Sequence, residues 1–121
     1  MVPATRYDKQ ALPYPVGASD LKELVGQPLQ LAAARRVRWF FYLGEDDTND
    51  AVPYRDSFSS SAQSLIEKHI GTTPQARWPI AARLFREQGF TARFALFPHV
   101  GHAATDEILG EIEAFFLANR P

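Results

Sequence analysis

Residues 37–44 read VRWFFYLG, a nearly continuous run of apolar and aromatic side chains that stops at Gly44 and an acidic loop, Glu45 to Asp50. Large apolar and aromatic residues suit a pleated surface, and a run without polar alternation is expected of a strand covered on both faces, as in a parallel sheet. A second run, ARFALF from Ala92 to Phe97, predicts another strand. Between them Val52 to Tyr54 reads as a turn. Ser57 to Ile70 then reads as a helix ended by Gly71, and Gln75 to Gln88 as a stronger one, with Ala81, Leu84 and Phe85 along one face and Gly89 as its stop. After the loop Pro98 to Ala103, the residues Ile108, Leu109, Ile112, Phe115 and Phe116 recur at helical spacing. The order is βαβα, an α/β arrangement of two parallel strands with crossover helices and a C-terminal helix. A right-handed crossover makes the strands parallel, so the loops leaving their C-terminal ends share one edge of the sheet, where open α/β proteins bind ligands. Asp47 and His102, far apart in sequence, are thereby expected at the same edge.

Upstream of this unit, residues 1–36 read as an irregular lead-in with a short helix, and residues 37–121 as the βαβα segment of a single domain. Pro3, Pro13, Pro15 and Gly17 punctuate the lead-in. Ser19 or Asp20 can cap a helix that runs through Val25 and closes at Gly26 and Pro28. A weaker segment, Leu29 to Arg36, follows, and Arg35, Arg36 and Arg38 read as a solvated basic face.

The 121 residues carry 13 Lys+Arg against 14 Asp+Glu, a net charge of -1, which supplies no footprint for nucleic acid or an anionic membrane. No stretch approaches the roughly 20 apolar residues of a membrane-spanning helix. With no cysteine in the chain, disulfide scaffolds and thiolate metal sites are excluded. The first residues lack the apolar centre of a secretory signal, and the expected compartment is the cytoplasm. No glycine-rich phosphate loop is present, and no cofactor is expected. His99 and His102 form H-x-x-H in a loop rather than on a helix face, so no metal site is expected there.

Two segments carry a family resemblance. YLGEDDTNDAVP (Tyr42 to Pro53) and FALFPHVGHAATDEILGEIEAFF (Phe94 to Phe116) resemble the last two strand-loop units of the α/β-hydrolase superfamily. In that family a strand ends in Gly-x-x-Asp followed by Val-Pro, and the next ends in a Gly-His turn before the terminal helix. Here Gly44-Glu45-Asp46-Asp47 and Val100-Gly101-His102 stand at those places. The resemblance implies the C-terminal part of an α/β-hydrolase-like fold and a serine hydrolase acting on an ester or related acyl bond of a small-molecule substrate. It implies His102 as general base and Asp47 as the acid that orients it. Asp47 has the family spacing after Gly44, but the loop is longer than usual before Val52-Pro53, which keeps Asp50 as a second choice and Asp46 as a third. Turn formation is the alternative role for all three, and helix initiation for His102.

The chain departs from the family in lacking the G-x-S-x-G elbow that carries the nucleophile. Gly17-Ala18-Ser19 is the nearest match, without the second glycine or a preceding strand. The serines from Ser57 to Ser64 fit a polar helix start. Trp39, Trp78, Phe85, Phe94 and Phe97 fit core positions better than an acyl pocket. Because the first strand is too apolar for a solvent-facing edge, the earlier strands of a larger sheet are expected to be missing or supplied by another chain. The isolated chain is therefore expected to be inactive, and to form a homo-oligomer or pair through an exposed strand edge. The competing expectation is a non-catalytic binding or assembly module derived from a hydrolase fold.

Overall fold

A computed structural model describes residues 12–14, 16–54 and 56–121. Pro3 and Pro15 of the lead-in lie outside the described residues. The elements are α1 (Leu21–Val25), α2 (Leu31–Arg36), β1 (Arg38–Gly44), α3 (Ser60–His69), α4 (Pro74–Glu87), β2 (Thr91–Phe97) and α5 (Asp106–Ala118). β1 and β2 pair in parallel, from Arg38 opposite Thr91 to Gly44 opposite Phe97, so both strands end at the same level. The chain is thus α/β with two parallel strands among the described residues. No helix of the described residues is long and apolar enough to cross a membrane.

Consecutive strand residues point to opposite faces, and the ring contacts show what covers each. Phe41 meets Phe85 of α4 at 5.0 Å between ring centroids, whereas its neighbour Phe40 meets Phe115 of α5 at 5.3 Å. α4 and α5 therefore lie on opposite faces of the sheet. On the α4 face, Phe94 stacks on Phe41 at 4.8 Å and takes the edge of Trp78 at 5.1 Å, an aromatic layer that replaces aliphatic packing. A second core joins the lead-in to the helices: Val16, Val52, Ile66, Ile70 and Leu84 are buried together, with Leu12, Phe58, Leu65 and Ile80 against them.

Local chemistry explains most element boundaries. The Ser59 hydroxyl accepts from the Ala62 amide and starts α3 three residues later than the serine cluster suggests. Thr73 caps α4 in the same way through the Ala76 amide, with Pro74 at the first helical position. Pro79 inside α4 has no N–H to offer the Gln75 carbonyl. Gly89, at φ 76°, ends the segment in the left-handed region as expected. Thr105 caps α5 through the Ile108 amide.

Four expectations change. The lead-in holds two short helices rather than one, and neither has a side-chain cap bond: the Asp20 carboxylate accepts instead from the Tyr14 amide at 2.8 Å. Arg35 is not merely solvated, because its Nε donates to the Gln88 carbonyl at 2.7 Å and ties the lead-in to the end of α4. The α5 stripe is narrower than its periodicity implies. Ile108 is fully buried and Phe115 faces the sheet, while Leu109 and Phe116, about 100° around the helix, are half exposed. Finally, β1 is not covered on both faces: only Gly44 is buried, and Tyr42 is 40% exposed. One neighbouring strand and one helix per face are too few to enclose seven residues carrying four aromatic rings.

Candidate active site

Parallel strands ending in register deliver two loops to one place. The first leaves β1 at Gly44, the second leaves β2 at Phe97. They are stitched by backbone bonds: the Glu45 amide donates to the Phe97 carbonyl at 2.8 Å and the Asp46 amide to the Val100 carbonyl at 2.9 Å. Gly44 makes this crossing possible. A Cβ there would stand 2.2 Å from the Val100 carbonyl oxygen and 2.4 Å from that of Gly101, far inside any real contact. Gly101 has open space where a Cβ would go, so the steric demand lies on the glycine of the acid strand and not on the one preceding His102. The one described non-glycine residue at positive φ is His99, at 58°, in the tight turn that folds the second loop back.

The crossing sets His102 against Asp47. His102 Nδ1 and Asp47 Oδ2 are 3.0 Å apart. Asp47 Oδ1 accepts from the Asn49 amide at 2.9 Å, an Asx-type turn within the acid loop. These two contacts, the His102 ring first and the Asn49 N–H second, hold the Asp47 carboxyl below the usual carboxylate range against the opposing effect of burial. An ionised carboxylate is an acceptor only, so Nδ1 carries the proton and, in the neutral ring, Nε2 keeps its lone pair. The exposures are unequal: the Asp47 side chain is 12% exposed and that of His102 is 71%. The carboxylate is thus sunk into the loop while the ring stands open to solvent. A cleft of about 270 Å³ lies beside the pair, lined by Tyr42, Leu43, Asp47, His102, Ala103 and Ala104.

Asp50, the alternative acid, faces elsewhere. Arg77 of α4 grips it with two parallel bonds, Nη1 to Oδ1 at 2.8 Å and Nη2 to Oδ2 at 3.0 Å. This guanidinium is the main reason that the Asp50 carboxyl also lies below its ordinary range, with the Val52 amide adding to it. Arg77 Nε reaches the Gly71 carbonyl at 3.0 Å, so one side chain pins both the end of the acid loop and the start of the α3–α4 turn. Asp46 makes its described bond to the second loop through its backbone. His102 does not start a helix, since α5 begins four residues later under the Thr105 cap. Among the described residues no group of three or more His, Asp or Glu side chains gathers as a metal site.

Two residues of this site carry no signal in the sequence. Gln75 Nε2 donates to the Asp47 carbonyl at 2.6 Å and to the Glu45 carbonyl at 3.2 Å. Arg77 acts on Asp50 as described. Both come from the first turn of α4, and no spacing rule links that turn to a loop 28 residues earlier. The aromatic residues read as core do pack together, but Trp39, Phe41, Trp78 and Phe94 also border a cavity of about 530 Å³ on the α4 side of the sheet, which Leu29 of the lead-in lines as well. No family model, curated protein or solved structure matches the chain.

Proposed function

We propose that Asp47 and His102 are the orienting acid and the general base of a serine-hydrolase-type site in an α/β-hydrolase-like fold, acting on an ester or related acyl bond of a small-molecule substrate. One observation carries this reading: a sunken carboxylate bonded to Nδ1 of an exposed imidazole, at the C-terminal ends of adjacent parallel strands. In such a site His102 Nε2 takes the proton from a hydroxyl nucleophile as its oxygen bonds to the acyl carbon. The same nitrogen then returns the proton to the leaving alkoxide as the ester C–O bond breaks, and water repeats the sequence to release the acid. Asp47 remains ionised throughout and stabilises the imidazolium. The sequence has no G-x-S-x-G, so the hydroxyl and the oxyanion-hole donors come from a segment outside these 121 residues. The test is hydrolysis of a p-nitrophenyl ester by the purified chain. The expected rate is that of a chain in which His102 is replaced by Ala, and robust turnover lost on that replacement would contradict the absence of a nucleophile from these residues; a His102 ring without a proton on Nδ1 in the ¹⁵N spectrum would contradict the acid and base roles themselves.

A second reading is favoured by a separate observation. β1 has one partner strand among the described residues; Tyr42 within it and Val37 just before it are 40% and 46% exposed. An unpaired apolar edge is a template for strand addition, which suits an assembly module or a homo-oligomer. A monodisperse monomer by size-exclusion chromatography with light scattering, over a wide concentration range, would remove this reading.

A further inference from the structure

We propose that Gln75 is a positioning residue for the Asp47–His102 pair, an inference that rests on the acid and base roles above. The acid loop has no regular secondary structure from Glu45 to Asp50, so its shape depends on individual bonds. The Asp47 amide donates to the Gly44 carbonyl at 3.0 Å, which fixes one side of the residue. On the other side, the Asp47 carbonyl is held at 2.6 Å by Gln75 Nε2, which also reaches the Glu45 carbonyl. Both partners are acceptors, so the nitrogen of the side-chain amide must face them, and its two hydrogens are matched to two carbonyls.

The link to the carboxylate runs through the next peptide. The Asp47 carbonyl and the Thr48 amide belong to one planar unit, and its rotation swings the chain that carries the Asn49 amide. That amide is the partner of Asp47 Oδ1, and Oδ2 is the atom facing His102. Fixing the Asp47 carbonyl therefore fixes, in order, the peptide plane, the Asn49 N–H, the carboxylate rotamer and the ring it orients. Gln75 suits this role because α4 is anchored independently, by Thr73 at its start and by Phe85 and Trp78 against the sheet.

The experiment is ¹⁵N-edited NMR of the His102 ring in the full chain, reading its tautomer and the exchange of its Nδ1 proton with water. Wild type, Gln75→Leu, Gln75→Glu, Gln63→Leu and Asp47→Asn are compared. Gln63 Nε2 donates to the Phe58 carbonyl at 3.0 Å, a bond of the same kind remote from the site, and so controls for general loosening. The expected result is that both Gln75 variants speed Nδ1 proton exchange about tenfold, the size of effect expected from one lost side-chain-to-backbone bond, and reduce the Nδ1–H tautomer. Gln63→Leu is expected to leave both unchanged. Wild-type ring signals in both folded Gln75 variants, or an equal loss in Gln63→Leu, would overturn the positioning role alone. A ring unchanged by Asp47→Asn would overturn the acid–base pairing itself and the inference with it. Should Leu at position 75 prevent folding, the near-isosteric Gln75→Glu decides the matter.

Discussion

Replacing Gly44 with alanine tests whether the close backbone approach at that residue lets the two loops come together. The added methyl would lie 2.2 Å from the Val100 carbonyl oxygen. An ordinary carbon–oxygen contact needs about 3.4 Å, so the second loop must retreat by about 1.2 Å. The obstacle is main chain, which cannot swing aside as a side-chain tip does. The same Val100 oxygen accepts from the Asp46 amide at 2.9 Å, and the retreat stretches that bond to about 4 Å, beyond hydrogen-bonding range. Inserting a methyl into a closed space costs about 1–3 kcal/mol and losing one such bond about 1 kcal/mol, together about 2–4 kcal/mol. The same displacement parts His102 from Asp47, whose contact is 3.0 Å. Urea unfolding gives the stability change, and the ¹⁵N spectrum of the His102 ring reports the pair. Gly101→Ala is the control: it lies in the same loop with nothing within 4 Å of the new methyl and no left-handed φ, and is expected within about 0.5 kcal/mol of wild type. Equal stabilities for the two variants, or an intact His102 Nδ1 bond in Gly44→Ala, would refute the reasoning.

Other substitutions probe the remaining supports. Arg77→Ala leaves the Asp50 carboxylate, 14% exposed, without its bidentate partner; we expect a loss of about 1–3 kcal/mol by chemical denaturation, with Arg77→Lys restoring only part because it cannot also reach Gly71. Asp47 and Asp50 both have carboxyl groups held below their unfolded values, so the folded state binds fewer protons in acid and their contribution is present above about pH 4 and lost as pH falls through the depressed values. Stability measured from neutral pH downward should therefore fall in that acid window, and Asp50→Asn should make the fall shallower; an identical acid slope in that variant would contradict the assignment. Gly110→Ala, in the middle of α5 with open space around it, is expected to raise stability by about 0.5–1 kcal/mol in the same urea assay.

The geometry gives a physical reason for the spacing of Gly44 and Asp47. Gly44 is small because the partner loop crosses over it. Asp47 lies three residues on because that is where the loop, held by the Asp47 amide to the Gly44 carbonyl, turns back toward His102.

Read alone, the sequence determined the two strands, the helices between and after them, and the edge at which Asp47 and His102 meet. These follow from apolar periodicity, turn residues and the handedness of crossovers, which act over short ranges or by general rule. It left Asp47 and Asp50 open, because both lie in one acidic loop and loop residues are placed by whichever partner reaches them. The tertiary structure gives the two carboxylates different partners, Arg77 of α4 at Asp50 and His102 at Asp47. It alone revealed Gln75, whose contact spans 28 residues between a helix and a loop with no shared pattern. It also corrected the burial of β1: an apolar run records what a strand would bury if covered, whereas actual exposure depends on how many neighbours surround it.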